Sequence, residues 1–247
     1  MKHENIVIGI EGKVGAGKTS ISRKLLTKID NSIIIHGGNI YRAIVYGMMK
    51  EKLCKDNKNA SKSTIGEMEA KLEDFTNLDI FEIMKNLGIE IRLENKETVI
   101  YMKGKKVDEK DLQSQKSSMA VSQVSNVANN DKLYQFGRNI IDKFRKDYNI
   151  ILSSRDIVKM YPDVTYHFFI DASIEERTKR KYMQYNKEIP KEQIKELIEK
   201  RDELQEKTGY YKIYPQTKVI DVTNCKNAEE STKKVLENIE ELFSKAY

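Results

Sequence analysis

The run Gly12-Lys13-Val14-Gly15-Ala16-Gly17-Lys18-Thr19 satisfies the spacing G-x-x-x-x-G-K-[ST] without a gap. Glycines placed this way let the main chain wrap around an anion, with several N–H groups aimed at phosphate oxygens. A lysine directly after the last glycine reaches the β- and γ-phosphates, and the hydroxyl beside it binds Mg²⁺. The residue types therefore specify a site for a nucleoside triphosphate, with Gly12, Lys13, Val14, Gly15, Ala16, Gly17, Lys18, Thr19 and Ser20 around the nucleotide. Lys18 is the catalytic cation of that site and Thr19 its metal ligand. A glycine-rich turn that merely packs a strand on a helix would use the same residues, so the flanks must decide.

They favour the phosphate site. Ile6-Val7-Ile8-Gly9-Ile10 is a short apolar run of the kind that makes a buried strand, and Ser20-Ile21-Ser22-Arg23-Lys24-Leu25-Leu26 has apolar residues at helical spacing. The helix adds the positive end of its dipole to the anion site. Of the 12 glycines, four (Gly9, Gly12, Gly15, Gly17) crowd into this one segment.

The elements that must hold the loop recur along the chain. Ser32–His36 reads as a second strand, and Gly37-Gly38-Asn39 opens a helix over Ile40–Met49. A polar stretch, 50–64, interrupts the rhythm, and short amphipathic helices fit within 67–75 and 79–87. Ile89–Glu94 and Glu97–Met102 alternate with period two on either side of Asn95-Lys96, which reads as a β-hairpin. Helices fit Ser117–Ala128 and Lys132–Arg145. Strands fit Asn149–Ser153, Thr165–Ile170 and Lys218–Val222. Charged helices fit Ile174–Asn186, Lys191–Glu206 and Ala228–Phe243. Strands separated by helices predict an α/β fold, a parallel five-stranded sheet covered on both faces. A hairpin inside that rhythm predicts an inserted subdomain over 50–115, between core segments 1–49 and 116–247. Ligands of such a sheet sit beyond the carboxyl ends of its strands, where the loop, His36, Ser153 and Asp171 fall.

Composition narrows the class. A chain of 247 residues with 33% charged residues and recurrent apolar runs describes a globular protein, and no stretch is long and apolar enough to span a bilayer. The polar start runs straight into the first strand, too short for a signal peptide. Cys54 and Cys225 have no histidine partners at metal spacing, as expected of thiols in a reducing cytoplasm. The net charge of +6 is spread among interleaved acids and bases, so no nucleic-acid or membrane partner is expected. Nucleotide substrates and a monomeric cytoplasmic protein are.

The chain resembles the nucleoside monophosphate kinases, specifically the bacterial-type cytidylate kinases. The loop Gly12–Thr19, Gly38-Asn39-Ile40-Tyr41-Arg42, the hairpin insert, Ser154-Arg155-Asp156-Ile157, Asp171–Arg180, Arg201-Asp202 and Val219-Ile220-Asp221 follow the family order. The resemblance implies a P-loop kinase fold with a helical lid at about 173–210, and ATP with Mg²⁺ as cofactors. It implies that Gly37, Tyr41, Arg42, Arg155, Asp156 and Arg201 bind the acceptor, that Arg177 and Arg180 close with the lid, and that Asp221 and Thr223 border the donor base. It makes Lys18, Arg155, Asp156, Arg177 and Arg180 the catalytic set. Read without the resemblance, Arg177, Arg180 and Arg201 are charges on solvated helices that pair with glutamates a turn away. His36 and His167 read as satisfied structural histidines.

The family pattern is altered on the acceptor side. His36 and Gly37 stand where Asp-Ser or Asp-Thr precedes G-x-x-Y-R, and Ser153-Ser154 replace the Asp-Gly of D-G-R-D. The second Asp and last Arg of R-D-x-x-D-x-x-R are Gln205 and Thr208. The expectation is ATP-dependent transfer to a nucleoside monophosphate, with CMP or dCMP as the family's acceptor but weakly selected. The alternatives are a P-loop kinase of another small acceptor and a degenerate nucleotide-binding regulator.

Overall fold

The computed structural model describes residues 5–56, 80–113 and 131–245. The helices expected within 67–75 and 117–128, and most of the polar stretch 50–64, lie outside the described residues. The chain divides into two compact units, one made of 1–35 with 140–247 and the other of 36–139.

The first unit is built on parallel strands. β1 (Val7–Gly12) is buried along its whole length. It is flanked in parallel by β6 (Asn149–Ser153) and β7 (Tyr166–Asp171), in register Ile8↔Ile151 and Ile10↔Phe168. β8 (Thr217–Asp221) continues beyond β7, and β2 (Ser32–His36) lies next to β6, giving the order β2-β6-β1-β7-β8. Near-continuous Ile and Val in these strands is what burial on both faces selects. Ile8, Ile10, Ile34, Ile151, Phe168 and Ile170 fill the core together with Ile21 and Leu25 of α1 (Lys18–Leu25) and Val235 and Ile239 of α9 (Ala228–Lys245). α6 (Ile157–Met160), α7 (Ile174–Gln184) and α8 (Lys191–Lys207) complete this unit. Ser173 caps α7 by accepting from the Glu176 N–H, and Pro190 sits at the N-cap of α8.

The second unit holds α2 (Gly37–Asp56), α3 (Ile80–Asn86), the antiparallel pair β3 (Ile89–Glu94) and β4 (Glu97–Met102), a two-residue strand β5 (Lys105–Lys106) and α4 (Glu109–Leu112). The chain leaves it through α5 (Asp131–Arg145). The hairpin register ends on Glu94↔Glu97, and Asn95 and Lys96 both take positive φ, 49° and 65°. That is the two-residue turn whose twist suits the flanking strands. α2 packs so closely on Leu87 that a Cβ at Gly47 would fall 2.6 Å from its Cδ1.

Most element boundaries lie within a few residues of expectation, but α2 begins at Gly37 rather than Ile40 and runs on to Asp56, into the polar stretch expected to interrupt it after Met49. β8 starts one residue early, while β5, α4 and α6 are short elements that periodicity does not register.

Candidate active site

Gly12 closes β1 with φ of 139°, and a Cβ there would lie 2.0 Å from the Ile170 carbonyl oxygen. No other residue fits. Gly15 and Gly17 take φ of 80° and 97°, and Gly17 is the N-cap of α1. Among the described residues no side chain caps α1, and no acid occupies its first turn, an arrangement that suits an anion at this helix end. The loop is pinned by the Lys13 N–H donating to Ile170 O at 3.1 Å and by Lys13 Nζ against Asp171 Oδ2 at 2.9 Å. Lys18 Nζ folds back to donate to Gly12 O at 2.8 Å and Lys13 O at 2.6 Å.

Cations crowd this lysine. Loss of solvent pushes the Lys18 ammonium well below its ordinary pKa, and the positive charges of Arg155, Arg201 and Lys181 push it further, with Asp202 opposing. Arg201 is lowered for the same reasons, burial first and Arg155 second. Its buried Nε makes no hydrogen bond among the described residues. Arg155 donates from Nε to Gln205 Oε1 at 2.8 Å. Lys18 thus lies among three further cations, Arg155, Arg201 and Lys181, with Asp202 the acid beside them.

Arg177 and Arg180 lie on the loop itself. Arg177 is 5% exposed, which overturns its reading as a solvated surface charge. Its Nε donates to Ala172 O, and Nη1 donates to Val14 O at 3.1 Å and to Asp202 Oδ2. The other oxygen of Asp202 accepts from the Val14 N–H at 3.3 Å and the Tyr211 hydroxyl at 2.6 Å. Arg180 does pair with Glu176 at 3.0 Å, as helical spacing suggests. It also donates to Ala16 O at 3.0 Å and Val222 O at 2.8 Å. Burial pushes the Tyr210 and Tyr211 hydroxyls well above their ordinary pKa, so both stay protonated donors.

Arg155-Asp156 forms a corner after β6. Asp156 is buried with φ of 53°, a left-handed conformation that aspartate, like asparagine, adopts more readily than most residues. Asp221 and Thr223 serve a local turn, with Thr223 N–H on Asp221 Oδ1 at 2.8 Å and Ser173 N–H on Thr223 Oγ1 at 2.9 Å. In the second unit, Gly37 opens α2, with Tyr41 and Arg42 one turn further on. Arg42 Nη1 donates to Asn39 Oδ1 at 3.4 Å. His36 is buried, its N–H on Thr98 Oγ1 at 2.9 Å and its Nε2 2.8 Å from Glu97 Oε2. It is a satisfied structural histidine.

Four residues at the site escaped sequence reading: Glu11, Lys181, Asp202 as the partner of the loop, and Tyr211. Asp202 could be found only through its place beside Arg201, and Lys181 only as the neighbour of Arg180. The other two carried no signal.

Comparison with known proteins completes the picture. The family described as Cytidylate kinase matches residues 8–245. The chain belongs to the cytidylate kinase family. Proteins named cytidylate kinase are similar to it at 31% identity in Caldanaerobacter subterraneus subsp. tengcongensis, over 95% of this chain and 94% of that one. The one from Caldicellulosiruptor saccharolyticus is 30% identical over 95% of each chain. A third, from Clostridioides difficile strain 630, is 27% identical over 95% of this chain and 98% of its own.

Membership in the cytidylate kinase family makes the protein an ATP-dependent nucleoside monophosphate kinase of the α/β P-loop fold, working with ATP and Mg²⁺. No described helix is long and apolar enough to cross a membrane. Among the described residues, no group of three His, Cys, Asp or Glu could cage a metal. Thr19, in the first turn of α1, is the residue that fits Mg²⁺. When bound, the ion would supply neutralisation of phosphate charge, beside which the loop's main-chain N–H groups and the Lys18 ammonium would stand. Phosphoryl transfer of this type needs positioning and charge neutralisation rather than a covalent intermediate.

Proposed function

We propose that this protein moves the γ-phosphoryl group of ATP to a nucleoside monophosphate, with CMP or dCMP accepted but not sharply selected. The observation that carries the reading is the glycine loop with the Lys18 ammonium folded onto its carbonyls, set among Arg155, Arg201 and Lys181, positive charge that bound phosphates would neutralise. Lys18 and Thr19 hold the donor end. Arg155, Asp156 and Arg201 take the acceptor phosphate and nucleoside, joined by Gly37, Tyr41 and Arg42. Arg177 and Arg180 leave the carbonyls of Val14 and Ala16 for the transferring group as a lid over 173–210 closes, and Asp221 and Thr223 border the donor base. The inserted segment 50–115 belongs to the acceptor side. A monomeric cytoplasmic enzyme with no nucleic-acid partner accords with the interleaved charges.

Weak acceptor selection follows from His36 and Ser153 standing where family members place carboxylates. A site that loses groups made to hydrogen-bond one substrate loses discrimination against its analogues. Labelled ATP offered with a panel of nucleoside monophosphates tests this. Transfer to several of them, with kcat/KM values within about tenfold of one another, is expected. A sharp preference for CMP and dCMP would refute weak selection, and no transfer to any nucleotide would refute the function.

A further inference from the structure

A buried carboxylate lies beneath the site and takes no part in the chemistry above. Glu11, the penultimate residue of β1, is 2% exposed in the middle of an apolar sheet. Burying a carboxylate is costly unless its oxygens find donors. Glu11 finds three. Oε2 accepts from the Asp156 N–H at 3.2 Å, and Oε1 accepts from the Ile157 N–H and lies 3.0 Å from His167 Nε2.

The third donor is itself held in place. His167 Nε2 faces a carboxylate and so carries a proton. In the neutral ring Nδ1 is then an acceptor, matched by the Thr217 hydroxyl 2.8 Å away. The Thr217 oxygen in turn accepts the Tyr214 N–H at 3.0 Å, and the Tyr214 hydroxyl reaches Asp156 Oδ1 at 3.4 Å. The ring fits because residue 9 is glycine: a Cβ there would meet His167 Cδ2 and Ile157 Cγ2, both at 3.0 Å. The chain of bonds runs from β8 through β7 and β1 and ends on the two amides that follow Arg155.

We propose that Glu11 is a positioning residue for the acceptor side, fixing the Arg155-Asp156 corner through the amides of Asp156 and Ile157, with His167 and Thr217 behind it. The corner gains from such support because Asp156 holds a left-handed backbone, less favourable for an L-residue than the right-handed one even though aspartate tolerates it better than most. The proposal rests on the reading that Arg155 and Asp156 contact the acceptor.

Glu11→Gln keeps the shape but presents an NH₂ group where three donors converge, so one bond turns repulsive. Acceptor KM should rise on the order of tenfold, the loss of roughly one hydrogen bond, while the KM for ATP moves less than about twofold. Asn149→Ala is the stability control. Asn149 is buried at the start of β6, accepting from the Ile6 N–H at 3.1 Å, far along the strand from the corner. It should destabilise the fold and leave acceptor KM unchanged. Equal effects of the two variants on acceptor KM would mean that Glu11 only stabilises, and would overturn the proposal. So would an unchanged acceptor KM in Glu11→Gln. If Glu11→Gln does not fold, Glu11→Asp, with its carboxylate withdrawn by one methylene, takes its place.

Amide hydrogen exchange provides the second measurement and needs no substrate. Exchange at Asp156 and Ile157 should quicken in the Glu11 variant and not in Asn149→Ala; exchange unchanged in both overturns the proposal. Should the wild-type protein transfer to no acceptor, the functional reading fails by itself, and the exchange data still judge the role of Glu11.

Discussion

Arg177 and Asp202 meet beneath the phosphate loop, the arginine 6% and the aspartate 17% exposed at their side chains. Each also holds the loop at one residue, since Val14 donates its N–H to Asp202 and gives its carbonyl to Arg177. Removing the carboxylate would strand a buried guanidinium. Asp202→Ala should therefore lower stability by about 3–5 kcal/mol, read from the urea midpoint at constant m. A loss below about 1 kcal/mol would place the pair among exposed bridges instead.

Lys18 has opposite roles in catalysis and stability. Lys18→Ala should reduce transfer by at least on the order of 10²–10³, as loss of one charge-stabilising donor does. The nucleotide-free fold should not suffer, because the substitution removes a cation that burial and neighbouring arginines already disfavour. Circular dichroism and thermal melting check the second half. Turnover near wild type would count against the whole site assignment.

The depressed ammonium also links proton and nucleotide. In the free protein its pKa lies well below the ordinary 10.5, and a bound triphosphate supplies the negative charge that raises it again. Between the two values, binding draws a proton from solvent, so affinity should fall as pH rises through that interval. Calorimetry of ATP binding in buffers of different ionisation heat should register proton uptake. Heats independent of buffer across the alkaline range would contradict it.

The glycines of the loop are unequal. Gly12→Ala would push a methyl group to 2.0 Å from the Ile170 carbonyl and should cost more than about 3 kcal/mol or prevent folding. A Cβ at Gly17 meets only Arg180 Nη1, at 3.5 Å. Gly17→Ala should lose only the left-handed backbone term, about 1–2 kcal/mol, and still fold. Paired denaturation curves decide.

Most of the frame was legible because its signals are local. The phosphate loop announces itself by glycine spacing between an apolar run and a helix, and the hairpin by period-two alternation around Asn95-Lys96. Arg177 was misread without the family resemblance because a charged helix looks solvated from its own residues, whereas its partner Asp202 arrives from another helix. Glu11 gave no sign for the same reason. Its partner His167 lies 156 residues away, and a lone acid beside a glycine loop has no periodicity to betray it. α6 is four residues long, too short for any repeat to show. Contacts that bind distant segments are set by the sheet order, and that order is written in no single stretch of sequence.

One guanidinium, that of Arg180, grips two backbone oxygens from separate segments, at Ala16 and Val222. Through that single side chain α7 is tied at once to the glycine loop and to the segment that follows β8. Any anion that engages this guanidinium must compete with both carbonyls together, so the two ties are coupled.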